Sequence, residues 1–338
     1  MHKNELFSTK INLIPSFIAL FLLCSSPNGD GSGYQDDVIT NLEVPWAIDF
    51  LPDGRMIFTE RSGSVKIYNE GATRTVGKIN VAQVVESGLL GIAIDPQFSQ
   101  NNYVYLYYSY QNGGIQNRIS RFTFNDSLQE EYVLLDDIPG ANIHNGGRLK
   151  FGPDGYLYAT TGDAGNPEVA SDTENFGGKI LRMKKDGSAP QDNPFGNQVW
   201  AKGLRDPQGI AWQDTVLYAS EHGPQRYDAI RKIERGMDYG WPQKCDETPS
   251  VRCYTDFTLA PSGIAIMGNY LYVAGLRGNQ LRKIDLSGSN DEELLTTMGR
   301  LRDVVLHNGI LYVATSNRDG RGNPGPEDDR IFKYEPSP

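Results

Sequence analysis

A strand–turn–strand unit that recurs six times restricts the fold of this chain more than any other feature. Each unit has an alternating apolar strand, a turn that often carries Asp-Gly or Asn-Gly, and a strand with a Leu-Tyr-Val core. A further apolar strand follows each unit, as in SVKIY, GKILRM and RIFKY. Successive units are about 40–60 residues apart, the spacing of propeller blades. They begin at Ala47, Gly91, Arg148, Gly209, Gly263 and Asp303.

A small antiparallel sheet cannot bury both of its faces alone, so repeated sheets of this size stack radially around a shared core. We therefore predict an all-β fold, a six-bladed β-propeller with four-stranded antiparallel blades. Glycines at several unit starts agree with this fold, because they let backbones crowd together near a narrow channel. The segment DDVITNL has no hairpin partner of its own. We expect it to pair with RIFKY of the last blade and close the ring.

The sequence divides into an export signal over residues 1–24, a flexible tether over 25–36 and the propeller over 37–338. The apolar run INLIPSFIALFLL is short for a membrane span and suits the core of an export signal. Cys24 closes this run and resembles the cysteine of bacterial lipoprotein signals, although Leu23 replaces the usual small residue. We predict a periplasmic or cell-surface protein whose membrane contact is a lipid anchor at Cys24. The alternative is a cleaved signal that discards this cysteine.

Charge and cysteine usage narrow the classes of partner. The chain has 42 acidic and 32 basic residues, a formal net charge of -10, which argues against nucleic acid because phosphate binding needs a basic face. Cys245 and Cys253 lie close together in a polar segment, a spacing that a disulfide closes in an oxidising compartment. Two free thiols are the alternative, and the absence of nearby histidines and of a second cysteine pair argues against zinc.

Arginines interrupt the polar loops between the predicted strands at comparable points of successive blades. In an acidic protein such a set makes a local cationic well, which suits a small polyanion held by guanidinium groups. No phosphate loop, dinucleotide fingerprint or nucleophile elbow is present in the sequence, so NAD and ATP have no evident docking site. The arginines are Arg148, Arg205, Arg277, Arg300 and Arg302.

His144 in ANIHNGGRLKFGPDG stands on a turn that enters the third unit. It has no Cys or His beside it, so it is a better candidate for a general base than for a metal ligand. Asp163 in TTGDAG is placed to hold its ring, whereas the alternative role for His144 is to cap a turn. Gly223-Pro224, between Glu221 and Asp228, offers carbonyl and carboxylate oxygens of the kind that calcium prefers.

The ordered series HNGGRLKFGPDGYLYATTGDAG, GLRDPQG, EHGP, DYGWP and GRLRD resembles the soluble sugar dehydrogenases that use pyrroloquinoline quinone (PQQ). This is the glucose/sorbosone dehydrogenase family, and the likeness is greatest to its aldose sugar dehydrogenase branch. It extends from Leu42 to Tyr334. The resemblance implies an enzyme that binds PQQ and Ca²⁺ at the mouth of a propeller. It also implies oxidation of an aldose or similar alcohol to a lactone, with electrons passed to a separate acceptor.

The resemblance also implies roles for individual residues. His144 would remove the proton of the anomeric hydroxyl, Arg205 would stabilise the oxyanion that develops on the cofactor, and Asp163 would stand beside the base. The implied cofactor-binding residues are Glu86, Arg148, Asp206, Gln208, Gly275, Leu276, Arg277, Arg300 and Arg302. The implied metal-binding residues are Gly223 and Pro224, through main-chain oxygens, with Asp228 and Tyr239.

Three positions depart from the family pattern. Asp206 stands where Asn is usual, Glu86 where some members have Gln, and Ala229 where Glu is expected. The first adds negative charge beside an anionic cofactor, and the last puts a second, structural calcium in doubt. The changes at Asp206 and Ala229 are the main support for an alternative, a non-catalytic propeller that binds a ligand or a surface protein at its cationic mouth. A calcium-dependent lactonase is a third hypothesis, but it needs several carboxylates where the loops offer mainly arginines.

Overall fold

Six four-stranded antiparallel sheets surround a central channel in the computed structural model, which describes residue 1 and residues 33–336. The innermost strands of neighbouring sheets pack against one another around the whole ring. The predicted six-bladed propeller is therefore confirmed. Its core consists of apolar clusters that lie between adjacent blades.

The first five blades run in chain order from the channel outwards. Blade 1 has β2 (Pro45–Phe50), β3 (Met56–Glu60), β4 (Ser64–Asn69) and β5 (Ala72–Lys78). Blade 2 has β6 (Leu89–Ile94), β7 (Tyr103–Gln111), β8 (Ile115–Phe124) and β9 (Leu128–Pro139), with helix α1 (Phe98–Asn101) after β6. Blade 3 has β10 (Leu149–Phe151), β11 (Leu157–Thr161), β12 (Lys179–Met183) and β13 (Val199–Ala201), with a 3-10 helix (Pro167–Ala170) after β11. Blade 4 has β14 (Pro207–Gln213), β15 (Val216–Glu221), β16 (Asp228–Ile233) and β17 (Arg252–Tyr254). Blade 5 has β18 (Pro261–Met267), β19 (Tyr270–Gly275), β20 (Gln280–Asp285) and β21 (Asp291–Leu294).

Blade 6 joins the two ends of the described chain. Its inner strands are β22 (Leu301–His307), β23 (Ile310–Thr315) and β24 (Ile331–Pro336), and its outermost strand is β1 (Gly33–Ile39). The register of β1 with β24 runs from Gly33 opposite Pro336 to Ile39 opposite Ile331. The predicted ring closure is confirmed, and β1 begins four residues before the predicted start of the propeller at residue 37.

The export signal, with Cys24, and most of the predicted tether lie outside the described residues. Within the part of the chain that the structure describes, no helix has the length and apolarity needed to cross a membrane. Cys245 and Cys253 form a disulfide, so that prediction is confirmed. It fastens the loop after β16 to the outer strand of blade 4.

Glycines let the innermost strands approach closely. A Cβ on Gly91 would stand 2.1 Å from the carbonyl oxygen of Gly147 in the next blade, and one on Gly209 would stand 2.2 Å from that of Ser262. Neither strand has room for a side chain at that point. The glycines at the unit starts thus set how tightly the blades pack around the channel.

One end of the channel collects two kinds of loop. In an antiparallel blade, the start of the first strand, the end of the second and the start of the third lie on the same edge, as Pro45 opposite Glu60 shows. The connections between blades and the loops between second and third strands therefore open on one mouth. In five blades a register shift interrupts the pairing at the mouth end of the innermost strand. Such a bulge changes the direction in which the neighbouring side chains point, so they no longer alternate regularly between the two faces of the sheet.

Candidate active site

A cavity of about 400 Å³ lies at this mouth. Loops from blades 4, 5 and 6 and five of the connections between blades contribute to it. The lining residues that the sequence predicted as site residues are Glu86, His144, Arg205, Gly223, Asp228, Leu276, Arg277 and Arg300. The lining residues that were not predicted are His222, Gln225, Thr258, Ala260 and Arg321.

His144 lies in the connection between blades 2 and 3, with a left-handed backbone at φ 57°. Its main-chain N–H donates to Glu86 Oε2 at 2.9 Å, and its carbonyl accepts from Ala164 N at 3.1 Å. Its Nδ1 lies 2.7 Å from Asp163 Oδ1, and 14% of its side chain is exposed. The backbone is thus held on both sides while the ring reaches the cavity.

The surroundings of His144 raise its pKa above the ordinary imidazole value. Burial acts in the opposite direction and is the largest single influence, because it disfavours the charged ring. The hydrogen bond to Asp163 and the charges of Asp206 and Asp163 together outweigh burial and the repulsion from Arg205. An imidazole that holds its Nδ1 proton against a carboxylate has Nε2 available to accept a proton.

Asp163 is a buried carboxylate, 1% exposed. Besides His144, Oδ1 accepts from Gly165 N at 2.8 Å, and Oδ2 accepts from Trp241 Nε1 at 2.8 Å. Its main-chain N–H donates to the carbonyl of Arg205 at 2.7 Å. The carboxylate is therefore fixed in place, and its segment is tied to that of Arg205.

Asp206 is fully buried, beneath the segment that carries His144. Its Oδ1 accepts from Gly146 N at 2.9 Å and its Oδ2 from Gln208 Nε2 at 2.9 Å. His222 Nδ1 lies 3.5 Å from the same Oδ2. Because these groups occupy both oxygens, the carboxylate lies under the cavity and does not line it.

Arg205 reaches the cavity from the connection between blades 3 and 4. Its main-chain N–H donates to Glu221 Oε1 at 2.7 Å, and its Nη1 donates to the carbonyl of His222 at 3.2 Å. The guanidinium lies over the ring of Trp241, 5.4 Å from the centroid. These contacts leave a half-buried cation beside His144, as a site that stabilises developing negative charge requires.

Arg300 and Arg302 form a buried cationic wall held by a carboxylate that was not predicted. Asp319 Oδ2 accepts from Arg300 Nε at 3.1 Å and from Nη2 at 2.8 Å, and it lies 3.7 Å from Arg302 Nη2. Burial opposes ionisation of Asp319, but the two arginines lower its pKa overall. Burial lowers the pKa of Arg302 to about 9. Its Nε is buried and has no hydrogen-bond partner among the described residues, so the wall retains an unused donor.

Arg148 lies deeper than predicted. Its Nη1 is paired with Asp303 Oδ2 at 2.9 Å, and its Nε donates to the carbonyl of Gln208 at 2.9 Å. Its guanidinium is 4.4 Å from the centroid of the Trp46 ring, and the residue lines a separate channel cavity of about 70 Å³. The structure thus places Arg148 under the mouth, joining blade 3 to blade 6. Gln208 links Arg148 to Arg302, because its side-chain Oε1 accepts from Arg302 Nη1 at 2.9 Å.

Glu86 connects distant parts of the mouth. Its Oε2 accepts from the His144 main chain, and its Oε1 accepts from Arg321 Nη1 at 2.7 Å. Arg321 belongs to the loop between β23 and β24 of blade 6. Glu86 therefore links the connection between blades 1 and 2 to the last blade, where the ring closes. Glu86 therefore binds protein groups with both oxygens.

The predicted residues of blade 5 have different positions. Leu276 is 3% exposed, lines the cavity and accepts from Arg300 Nη1 at 3.2 Å with its carbonyl. Arg277 is exposed at the rim, and within residues 33–336 its guanidinium has no hydrogen-bond or ion-pair partner. A Cβ on Gly275 would stand 2.5 Å from Leu259 Cδ1, so Gly275 serves the packing of the loop behind them.

The predicted metal-binding residues do not all meet. Gly223 lines the cavity, and its N–H donates to Asp228 Oδ1 at 2.9 Å. Asp228 Oδ2 accepts from Leu259 N at 2.7 Å and Ala260 N at 2.8 Å. Burial nevertheless raises the pKa of Asp228. Its carboxylate thus already receives three main-chain N–H groups and orients the Gly223 loop.

Pro224 and Tyr239 complete the predicted metal set. The carbonyl of Pro224 accepts from Arg226 N at 2.6 Å. Tyr239 donates its hydroxyl to the carbonyl of Lys232 and accepts from Glu234 N at 2.9 Å, near the end of β16 that lies away from Asp228. In residues 1 and 33–336, no group of three or more His, Cys, Asp or Glu side chains is arranged to hold a metal.

Several residues that shape the site escaped the sequence prediction. His222 and Trp241 stand in EHGP and DYGWP, motifs that point to the site without giving these side chains a role. Burial lowers the pKa of His222 to about 3, and its Nε2 is buried with no partner among the described residues. Asp319 and Arg321 lie in a loop of blade 6 outside every quoted motif, and no local signal identifies them.

Comparison with known proteins gives consistent results. The family model for glucose/sorbosone dehydrogenase matches residues 42–323. An aldose sugar dehydrogenase of Escherichia coli K12, YliI, is 28% identical over 95% of this chain and 98% of its own. Quinoprotein glucose dehydrogenase B of Acinetobacter calcoaceticus is 33% identical over 61% of this chain and 51% of its own. The PQQ-bound aldose sugar dehydrogenase from Streptomyces coelicolor has a TM-score of 0.85 and 35% identity, over 90% of this chain and 98% of that structure.

Proposed function

This chain belongs to the glucose/sorbosone dehydrogenase family, and on that premise we propose that it oxidises aldose sugars or similar alcohols with pyrroloquinoline quinone as its cofactor. The observation that carries the proposal is the 2.7 Å contact between His144 and Asp163 in a cavity walled by arginines. It places a general base and positive charge in one space. The substrate class is also that of the aldose sugar dehydrogenases to which the chain is similar.

His144 acts as the base. Asp163 holds the Nδ1 proton, so the neutral ring directs its basic Nε2 lone pair away from the carboxylate. The proton of the anomeric hydroxyl passes to Nε2, and a hydride leaves the anomeric carbon, so that a cyclic aldose becomes a lactone. Asp163 then faces an imidazolium, which a buried carboxylate stabilises. Proton transfer of this kind accelerates a reaction by about 10²–10⁴-fold.

The residues of the mouth fit an anionic cofactor. Arg300 and the exposed guanidinium of Arg277 line the cavity, and Arg302, which shares Asp319 with Arg300, retains a buried, unpartnered Nε. Guanidinium groups match carboxylates in geometry and charge, and PQQ is a tricarboxylate. When bound, the quinone supplies the hydride acceptor. Arg205 contributes positive potential on the side of the cavity near His144, where negative charge would otherwise accumulate.

Calcium would be held mainly by main-chain oxygens. The carbonyls of Gly223 and Pro224 are hard oxygen donors of the type that Ca²⁺ takes, and Gly223 lies at the cavity wall. Asp228 fixes the Gly223 N–H at 2.9 Å and so positions that loop. Its carboxylate is close enough to the loop to add negative charge. Calcium would also compensate part of the negative charge of the cofactor.

The sequence supports export of the protein, with a lipid anchor at Cys24 as the accompanying hypothesis. Oxidation of an aldose to a lactone releases two electrons, so a separate electron acceptor would have to take them from the bound cofactor between turnovers. The disulfide of Cys245 and Cys253 agrees with an oxidising compartment. We propose a periplasmic or cell-surface location on these grounds.

Reconstitution tests the proposed function. Purified apo-protein is titrated with PQQ in the presence and absence of Ca²⁺, with binding followed by the absorbance of the cofactor. Reduction of an artificial dye is then measured with a broad panel of aldoses. We expect saturable binding that Ca²⁺ strengthens, followed by sugar-dependent dye reduction. Bound cofactor without turnover on any aldose would contradict the dehydrogenase assignment, and failure to bind would favour the non-catalytic propeller.

A further inference from the structure

Trp241 stands behind the cavity on a loop that is pinned along its length. The loop joins β16 to β17 and runs beside the chain that connects blades 3 and 4. Lys202 N donates to the carbonyl of Met237 at 3.0 Å, and Tyr239 N donates to that of Lys202 at 2.9 Å. Trp241 N donates to the carbonyl of Gly203 at 2.9 Å. The backbone position of Trp241 is therefore fixed by main-chain bonds.

The indole makes two contacts with the site. Its Nε1–H donates to Asp163 Oδ2 at 2.8 Å, and its ring lies under the guanidinium of Arg205, 5.4 Å from the centroid. Asp163 Oδ1 is occupied by the ring of His144 and by Gly165 N. The indole N–H is the side-chain donor that the structure gives to Oδ2, and it sets the rotation of the carboxylate about its Cβ–Cγ bond.

We propose that Trp241 is a positioning residue for the base: its N–H holds Asp163 in the rotation that presents Oδ1 to His144, while its ring supports Arg205. The role in catalysis rests on the proposed function, whereas the positioning itself is a property of the apo-protein. Asp163 is 1% exposed, so water from the bulk has little access to replace a lost donor. A buried carboxylate oxygen without a donor is costly.

Removal of the indole N–H has a definite consequence for His144. The anionic form of Asp163 loses one of its donors, and a cationic imidazole then becomes a more favourable neighbour. While Gly165 N and the His144 ring still hold Oδ1, the pKa of His144 should therefore rise further. Rotation of the carboxylate away from the ring would instead lower it, and either shift reports the loss of the indole N–H. The charged and titratable groups around His144 come from four other loops or strands. They are Glu86, Asp163, Arg205, Asp206 and His222.

Two replacements of Trp241 separate the N–H from the ring. Trp241→Phe removes the donor and keeps an aromatic face for Arg205. Incorporation of 3-benzothienylalanine at position 241 keeps the fused rings and puts sulfur in place of the N–H, which guards against failure of the Phe variant to fold. Trp212→Phe is the matched control, because Trp212 packs against Tyr158 in the interior between blades 3 and 4.

The pKa of His144 is measured in the apo-protein by NMR titration of the imidazole resonances. We expect both replacements at position 241 to raise it by about half a unit or more and Trp212→Phe to leave it unchanged. An unchanged pKa in the benzothienyl protein would overturn the proposal.

In reconstituted enzyme the acidic limb of kcat/KM against pH should move upwards with the pKa, with a larger loss in kcat than change in KM. If the pKa rises but the wild-type enzyme oxidises no sugar, the positioning holds and the proposed function fails.

Discussion

Asp206 Oδ1 accepts the main-chain N–H of Gly146 at 2.9 Å, two residues beyond His144. Asp206, which stands where the resemblance leads us to expect Asn, is thus turned towards the segment that carries His144, the proposed base. Its other oxygen accepts from Gln208, and the side chain is fully buried. Its negative charge acts on His144, where it helps to raise the pKa.

Asp206→Asn should lower the pKa of His144. Asparagine keeps an oxygen for the N–H of Gly146 but removes the charge that favours the imidazolium, so we expect a fall of up to about one unit. The same change should tighten binding of an anionic cofactor. NMR titration of the apo-protein and an absorbance titration with PQQ measure the two effects. Asp95→Asn, at the opposite end of the channel, is the control, and equal His144 pKa values in wild type and Asp206→Asn would refute the account.

Turnover should depend on pH through His144. As the proposed base, His144 can accept a proton only when its ring is neutral. Its pKa in the folded protein is raised, so kcat/KM should increase as the pH rises through a value above about 6.5. Asp163→Asn removes the hydrogen-bonding carboxylate and should move this acidic limb to lower pH while it reduces kcat by about tenfold or more. If the acidic limb of kcat/KM lies at the same pH in Asp163→Asn as in the wild type, a group other than His144 titrates.

Much of this site could be predicted from sequence because the repeat fixes which loops share a mouth. His144 stands in the connection between blades 2 and 3 and Asp163 in the loop between β11 and β12, so a correct assignment of the blades brings both to the same mouth. The closure by β1 follows from the same pattern, because DDVITNL lacked a hairpin partner. These inferences need only strand order, and strand order is what alternating apolar segments report.

The rest of the site could not be predicted from sequence, because it depends on the directions of side chains and on contacts between the first and last blades. Glu86 and Arg321 are 235 residues apart in sequence and form an ion pair, which no local pattern reports. Arg148 was predicted at the cofactor but is paired with Asp303 inside the channel. Whether an arginine at the end of an innermost strand points up or down follows from bulges and packing, and sequence periodicity does not determine it.

Loss of the disulfide should destabilise the protein. Cys245 and Cys253 close a short loop, and the entropy of that closure corresponds to about 2–3 kcal/mol. We expect the double variant Cys245→Ser/Cys253→Ser to melt several degrees below the wild type in differential scanning calorimetry. Reductant should lower the Tm of the wild type and leave that of the double variant unaffected. Insensitivity of the wild type to reductant would contradict the prediction.

Removal of β1 should open the ring. A chain that begins at residue 41 lacks the partner of β24 and the buried side chain of Ile39, whereas one that begins at residue 33 retains both. An unpaired β24 would present a free strand edge, which favours association. We expect a lower Tm and concentration-dependent oligomers for the shorter chain only, as measured by calorimetry and analytical ultracentrifugation. Identical behaviour of the two chains would show that closure by β1 contributes no stability.

Turnover of a His144 variant that still holds its cofactor tests the central claim most directly. His144→Asn suits the left-handed backbone at φ 57°, because asparagine tolerates that conformation well, and it removes the basic nitrogen. At equal occupancy by PQQ and Ca²⁺, we expect dye reduction with an aldose to fall by about 10²–10⁴-fold relative to the wild type. Turnover of cofactor-loaded His144→Asn at the wild-type rate would contradict the assignment of His144 as the general base.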